Sequence, residues 1–195
     1  GSPIMSNLIS IGSSPDAPSY ACPSPSITLF NTFHYTVYVP TNASIQALHN
    51  EGKLPTWDEV EEEQDEDEKE RMTEQIEKFL KYHIQDNSLY IGQGNIEEAD
   101  YETSAYEING ADNTISYCRL TVKGDGSHLS VTDAAGNKRN VLTNGGLYNL
   151  MAREYQYNTK DVASASEIYT SSYAVVHQID GPLIWEKETE EGSME

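Results

Sequence analysis

Two short apolar segments near opposite ends of the chain constrain the fold more than any other feature of the sequence. One covers residues 35–42 and the other residues 174–180. Both are rich in β-branched and aromatic side chains, and both end in small polar residues that can satisfy backbone groups where a strand stops. We therefore expect residues 35–39 and 175–179 to form strands of one sheet, with the imidazole of His177 at least half buried.

A short helix is predicted directly after the first strand. Pro40 cannot continue a ladder of hydrogen bonds, and either Thr41 or Asn42 can cap the helix that follows, with Gly52 placed to end it. Asn42 also begins a glycosylation sequon. Of the two uses of this residue, we expect the structural one, a largely buried Asn42 side chain that caps the helix.

The most highly charged part of the chain is the segment of residues 58–70, which contains ten acidic residues and one lysine. We call it the acidic run. It begins just after Thr56, which forms a capping-box pattern with Glu59. Apolar residues at helical spacing follow and place His83 on the core face of a helix. Because like charges at four-residue spacing repel, we expect an exposed helix that is broken near residues 63–68.

After His83 the pattern changes to the period of two that is typical of strands. Turn signals rich in glycine and asparagine separate the strand candidates, which indicates an antiparallel meander. The candidates are residues 89–91, 101–108, 115–123, 128–132, 139–142 and 168–179, while residues 148–157 are ambiguous. Helices in the first half and strands in the second predict an α+β domain.

Composition limits the partners of this chain. The formal net charge is −20, which opposes binding to nucleic acid and to anionic lipid. No stretch is apolar enough to span a membrane, so we expect no membrane insertion. Neither a nucleophile motif nor a metal-binding motif is present, so we expect no cofactor and no bound metal. Cys22 and Cys118 are either bonded to each other or both unpaired, and the sequence leaves both alternatives open.

The expected organisation has three parts. Residues 1–26 are rich in proline and serine and read as an extended segment or linker, residues 27–185 form the domain, and residues 186–195 form an acidic disordered tail.

Three motifs in this order resemble the fasciclin-like domain, an extracellular adhesion module. They are the strand that contains Thr36 and ends in Pro40-Thr41-Asn42, the pair Tyr82-His83 at the end of a helix, and the segment His177-Gln178-Ile179-Asp180. The resemblance covers about residues 29–184. It departs from the family where Tyr38-Val39 replaces the usual Phe-Ala and where Ser172-Tyr173 replaces Asn-Gly. The acidic run is an addition, and the helices that the family has upstream are not indicated here.

The resemblance implies a wedge-shaped antiparallel β-sandwich with helices in its first half and no enzymatic activity. It implies a structural role for Thr36, Pro40, Thr41, Asn42, His177 and Asp180, and a role in receptor binding for Tyr82 and His83. The implied location is extracellular or at the cell surface, with the signal or anchor removed. The implied partners are surface or matrix proteins or glycans, and the parent protein is expected to hold tandem fasciclin-like domains.

Two other functions remain open from the residues themselves. The thirteen tyrosines could stack on sugars in a glycan-binding component of a nutrient-capture system. A hydrolase with an unrecognised site is the third hypothesis, which a cleft with two carboxylates about 5–9 Å apart would favour.

Overall fold

The computed structural model describes residues 10–11, 25–26, 34–157 and 168–185. Its helices are α1 (Asn42–Asn50), α2 (Trp57–Glu62) and α3 (Glu66–Tyr82). Its strands are β1 (Ser10–Ile11), β2 (Pro25–Ser26), β3 (His34–Pro40), β4 (Ile84–Asp86), β5 (Asn95–Ile108), β6 (Ile115–Asp125), β7 (Leu129–Thr132), β8 (Lys138–Asn140), β9 (Leu150–Tyr157) and β10 (Ile168–Ile179). The helices lie between β3 and β4, and the domain is α+β.

Eight of the strands form one curled sheet in the order β8-β7-β6-β5-β4-β3-β10-β9. Its neighbouring strands are antiparallel except for β3 and β10, which run parallel with Val37 opposite Val176. The prediction that the first and last apolar segments share a sheet is therefore confirmed. The sheet curls until residues beyond β8 reach β10, where Val141 bridges to Ile179 and the Leu142 amide donates to the Gln178 carbonyl at 2.8 Å.

The buried apolar residues form two cores. The curled sheet encloses the first, which includes the fully buried side chains of Leu120, Val131 and Leu183. The second lies among the helices and includes Leu48 and Phe79. Burying large apolar side chains in this way supplies most of the driving force for folding. Because residues of α3 belong to both cores, the two cores together position α3 against β5.

The start of α1 corrects one prediction. Thr41 is the N-cap, and its hydroxyl accepts the Ser44 amide at 3.3 Å. Asn42 is the first helical residue, and its side chain is exposed, so the prediction of a buried capping Asn42 is wrong. Because Pro40 ends β3, the next residue is the one that has the extended backbone of a cap, with φ −68° and ψ 151° at Thr41.

Substitutions of Thr41 and of Asn42 are expected to show that the first residue caps α1 and that the second does not. Thr41→Ala should lower the free energy of unfolding by about 1 kcal/mol, because the amide at the start of α1 loses its acceptor. Asn42→Ala, the matched control, should change it by less than about 0.5 kcal/mol. Urea unfolding followed by circular dichroism measures both. Equal losses in the two variants would contradict the assignment of the cap.

The acidic run forms the exposed helical segment with a break that its charge pattern predicts. Thr56 and Glu59 form the expected capping box at the start of α2. The helix stops at Glu62, and α3 begins after Asp65, whose carboxylate accepts the amides of Asp67 and Glu68. None of the helices in the described ranges has the length and apolar character needed to cross a membrane.

The predicted strands agree with the sheet except in one place. Residues 89–91, predicted as a strand, form a loop, and the strand that pairs with β3 is Ile84–Asp86 instead. The ambiguous residues 148–157 contain β9, and the last predicted strand, residues 168–179, is β10. Most of the predicted linker and all of residues 186–195 lie outside the described residues, as does Cys22.

Candidate functional site

His177 lies at the centre of a polar network that joins distant parts of the chain. It is on β10, and its side chain is fully buried. Its Nε2 donates to the Leu89 carbonyl at 2.8 Å, and its Nδ1 accepts the backbone amide of Asn149 at 3.3 Å. One donor and one acceptor require the neutral imidazole. Burial lowers the pKa of His177, while the hydrogen bond to Leu89 opposes that shift.

Side chains, rather than a strand partner, hold the loop between β4 and β5. The hydroxyl of Thr36 donates to the Asn87 carbonyl at 2.8 Å and accepts the Leu89 amide at 2.9 Å. The side chain of Asn149 binds Ile91 twice, accepting its amide at 3.0 Å and donating to its carbonyl at 2.8 Å. These bonds satisfy the backbone of a segment that has the composition of a strand, and Thr36 and His177 thus act on the same loop.

His83 ties the end of α3 to the segment after β10. The imidazole is 4% exposed. Its Nδ1 donates to the Phe79 carbonyl at 2.7 Å, and its Nε2 accepts the amide of Leu183 at 3.0 Å. The imidazole is therefore neutral and has the opposite tautomer from His177. Burial lowers the pKa of His83 to about 4, against the hydrogen bond to Phe79 and the charge of Asp133.

Tyr82 is fully buried beside it. Its hydroxyl donates to the Arg119 carbonyl and accepts the Ala134 amide, both at 3.0 Å, and burial raises its pKa. Tyr82 and His83 thus face the interior, where they join α3 to β6 and to the residues that follow β7 and β10. A role for this pair in receptor binding stays a prediction. In this conformation both side chains are buried, although His83 is among the residues that line the apolar groove described below.

The other motif residues lie where the curled sheet closes. Pro40 is opposite Ile179 at the end of the parallel pair. The Asp180 carboxylate accepts both the amide and the side-chain nitrogen of Asn140, at 3.0 and 2.9 Å. Asp180 therefore connects the end of β10 to the end of β8, a role that is structural by its contacts.

Sequence reasoning missed two residues, Asn149 and Asp133, that form several of the hydrogen bonds between distant parts of the chain. Asn149 has a φ of +53°, a conformation that asparagine tolerates better than most residues. Asp133 is buried, and its carboxylate accepts the amides of Asn137, at 2.7 Å, and Ile184, at 2.8 Å. Both residues stand in turn-rich stretches, and that composition was the only available signal.

Several grooves mark the surface of the described structure. One groove, of about 630 Å³, lies between α1 and the turn after β7. It contains the carboxylates of Glu51 and Asp180, but Glu51 is 3.3 Å from Lys53 and Asp180 is bonded to Asn140. The second, of about 550 Å³, is mainly apolar and lies between β3, α1 and α3. Among the described residues, no group of three His, Cys, Asp or Glu side chains could hold a metal ion.

Four exposed apolar side chains lie together on the hairpin formed by β5 and β6. Tyr106 lies opposite Tyr117, and Ile108 lies opposite Ile115, with 39–57% of each residue exposed. The two tyrosine rings are 5.9 Å apart and nearly perpendicular. We call these four residues the hairpin face. Contiguous exposed apolar residues of this kind commonly mark an interaction surface.

Comparison with known proteins identified no relative of this chain. No family model matches the chain, and neither does any curated protein or solved structure. A functional proposal therefore rests on the geometry of the chain and on the resemblance of its motifs.

Proposed function

We propose that this chain is a non-enzymatic binding module of the fasciclin type that recognises protein or glycan partners outside the cell or at its surface. The observation that carries the proposal is the pairing of the two motif segments. β3 and β10 lie side by side near one end of the sheet order and are joined over seven residue pairs, from Tyr173 opposite His34 to Ile179 opposite Pro40. The resemblance required these segments to share a sheet.

The contacts of the buried polar residues support binding rather than catalysis. Both nitrogens of His83 and of His177 are hydrogen-bonded to the backbone, so neither imidazole is free to move a proton to or from a substrate. The carboxylate of Asp133 binds backbone amides on both of its oxygens. A general acid or base must reach the substrate, and these three groups instead support the fold.

The charge of the chain supports a protein partner over a nucleic acid. With a net charge of −20, the molecule repels phosphate backbones at long range. Surface or matrix proteins with basic patches are attracted to it. We include in the proposal that the chain is one of several fasciclin-like domains in its parent protein.

One observation favours the alternative, a glycan-binding component of a surface nutrient-capture system that uses exposed tyrosines. Tyr106 and Tyr117 are exposed and adjacent on the hairpin face, and Tyr90 and Tyr148 are exposed elsewhere. Aromatic rings with a wet edge and an apolar face suit sugar stacking.

A bead-retention experiment tests the proposal and separates its two forms. Beads that carry the folded protein are expected to be retained on a panel of immobilised matrix proteins, whereas beads that carry acetylated albumin, an acidic control, are not. Retention on polysaccharides instead, lost in Tyr106→Ala/Tyr117→Ala and kept in Tyr90→Ala/Tyr148→Ala, would establish the glycan alternative. No retention on either class of surface would contradict a binding module.

A further inference from the structure

The hairpin face is bordered by the outer surface of α3. A shallow groove of about 320 Å³ separates them, and it is lined by Glu74, Glu77, Lys78 and Lys81 on the helix and by Tyr106 and Ile108 on the hairpin. Charged side chains of both signs and apolar side chains therefore meet in one groove. A ligand in this groove would contact both kinds of group at once.

The carboxylates continue along α3 away from the groove. Glu66, Glu70 and Glu74 are exposed and follow each other at four-residue steps, which places them on one stripe of the helix. We call them the α3 stripe. Glu66 and Glu70 belong to the acidic run, and Glu74 lines the groove beside the hairpin face. Eight residues of helix span about 12 Å, so the stripe extends the acidic run to that groove. The hairpin face and the acidic run thus belong to one continuous surface.

The two lysines that line the groove each form a salt bridge with a carboxylate outside the α3 stripe. Lys78 binds Glu107 at 3.1 Å, and Lys81 binds Glu77. The ammonium of Lys81 also lies 5.5 Å from the centre of the Tyr106 ring. The hairpin face therefore already holds one cation of the chain itself over an aromatic ring, an arrangement that is attractive by about 0.5–1 kcal/mol at an exposed site.

We propose that the hairpin face and the α3 stripe form one docking surface for a protein segment that has apolar side chains followed by lysines and arginines. The inference rests on the proposed binding function and names the class of partner. The apolar residues of the segment cover the hairpin face, and its basic residues follow the α3 stripe toward the acidic run. Apolar burial supplies affinity, and the charges set the orientation and the rate of association.

The negative charge of the chain opposes the binding of a second copy of the chain at this surface. A second copy of the chain would bring another net charge of −20 to a stripe that is already negative, which opposes association. A basic segment is attracted along the whole stripe. The partner chemistry is therefore basic and amphipathic.

Synthetic peptides test the two halves of the surface separately. The probe has an apolar half of leucine and valine and a basic half of lysine and arginine, and its controls replace either the apolar half with serine or the basic half with glutamate. Calorimetry at about 0.15 M salt is expected to give a Kd of about 10 µM for the probe. Both control peptides are expected to bind at least about tenfold more weakly.

Variants of the protein locate the binding. Ile108→Ser/Ile115→Ser is expected to weaken the probe about tenfold, whereas Leu150→Ser/Met151→Ser, which alters two equally exposed apolar residues on β9, is not. Substituting the α3 stripe by Glu66→Gln/Glu70→Gln/Glu74→Gln should have an effect of similar size. The charge-matched variant Glu51→Gln/Glu97→Gln/Glu98→Gln should leave the affinity within about twofold.

Three results would overturn the inference. They are equal affinity in the hairpin-face variant and the wild type, equal losses in the two glutamate variants, and dimerisation in sedimentation that depends on Ile108 and Ile115. The bead experiment distinguishes a failure of this inference from a failure of the proposed function. If retention on matrix proteins persists in Ile108→Ser/Ile115→Ser, the chain is a binding module whose partner docks elsewhere.

Discussion

Replacing His177 with leucine is expected to lower the free energy of unfolding by about 3 kcal/mol. The substitution removes the partner of the buried Leu89 carbonyl and of the partly buried Asn149 amide, both bound by the imidazole. Each buried group that loses its hydrogen bond costs about 1–3 kcal/mol. The loop between β4 and β5 loses one of its anchors at the same time. Urea unfolding followed by tryptophan fluorescence measures the change.

Two further variants identify the cause of that loss. His128→Leu makes the same substitution at an exposed histidine, 75% accessible at its side chain, and is expected to change stability by less than about 0.5 kcal/mol. His177→Gln keeps a nitrogen donor near the Leu89 carbonyl and should be less harmful than leucine. A loss below about 1 kcal/mol in His177→Leu would show that the network contributes little to stability.

Acidification is expected to destabilise the protein through His83 well before most carboxylates are protonated. Its pKa is lowered to about 4 by burial, whereas an unfolded histidine has a pKa of about 6.5. Between these two values the unfolded state binds a proton that the folded state does not, so stability falls as the pH falls from about 6.5 toward 4. The loss due to His83 is about 2 kcal/mol at pH 5 and approaches about 3 kcal/mol below pH 4. His177, whose pKa is also lowered, adds in the same direction.

The variant His83→Asn isolates this contribution. Its amide can donate to the Phe79 carbonyl, as Nδ1 does, but it leaves the Leu183 amide unbound and does not titrate. We expect the variant to be less stable than the wild type at pH 8, and the difference to shrink by about 2 kcal/mol at pH 5. Nuclear magnetic resonance of the imidazole should show His83 neutral down to about pH 4. Parallel stability curves of the two proteins, or protonation of His83 near pH 6.5, would refute this explanation.

The local elements followed from the sequence because short-range chemistry determines them. Thr56 and Glu59 fix the start of α2, and the crowded carboxylates that follow coincide with the interruption before Asp65. Where two neighbouring residues could both cap a helix, the sequence did not show which of them does. Thr41 caps α1 and Asn42 does not, because the backbone turns into the helix one residue earlier than predicted.

Long-range contacts explain the places where prediction failed. Residues 89–91 have the composition of a strand, but Thr36, Asn149 and His177 satisfy their backbone from distant parts of the chain. The pairing of β3 with β10 was predicted, yet its parallel direction was not, since the apolar pattern of a strand is the same read in either direction. Tyr82 and His83 were proposed as binding residues by resemblance, and their burial depends on β6 and on the segment after β10.

The sequence by itself determined the α+β class, the capping box of α2, the exposed acidic run and the strand character of the two apolar end segments. These features depend on the periodicity of apolar residues, on helix capping and on repulsion between neighbouring charges, all of which act within a few residues. Only the tertiary structure decided how the sheet curls, which backbone groups the buried histidines bind, and that Tyr106 meets Tyr117 beside α3. Those outcomes depend on contacts between residues far apart in the chain, and a single sequence carries no direct record of such contacts.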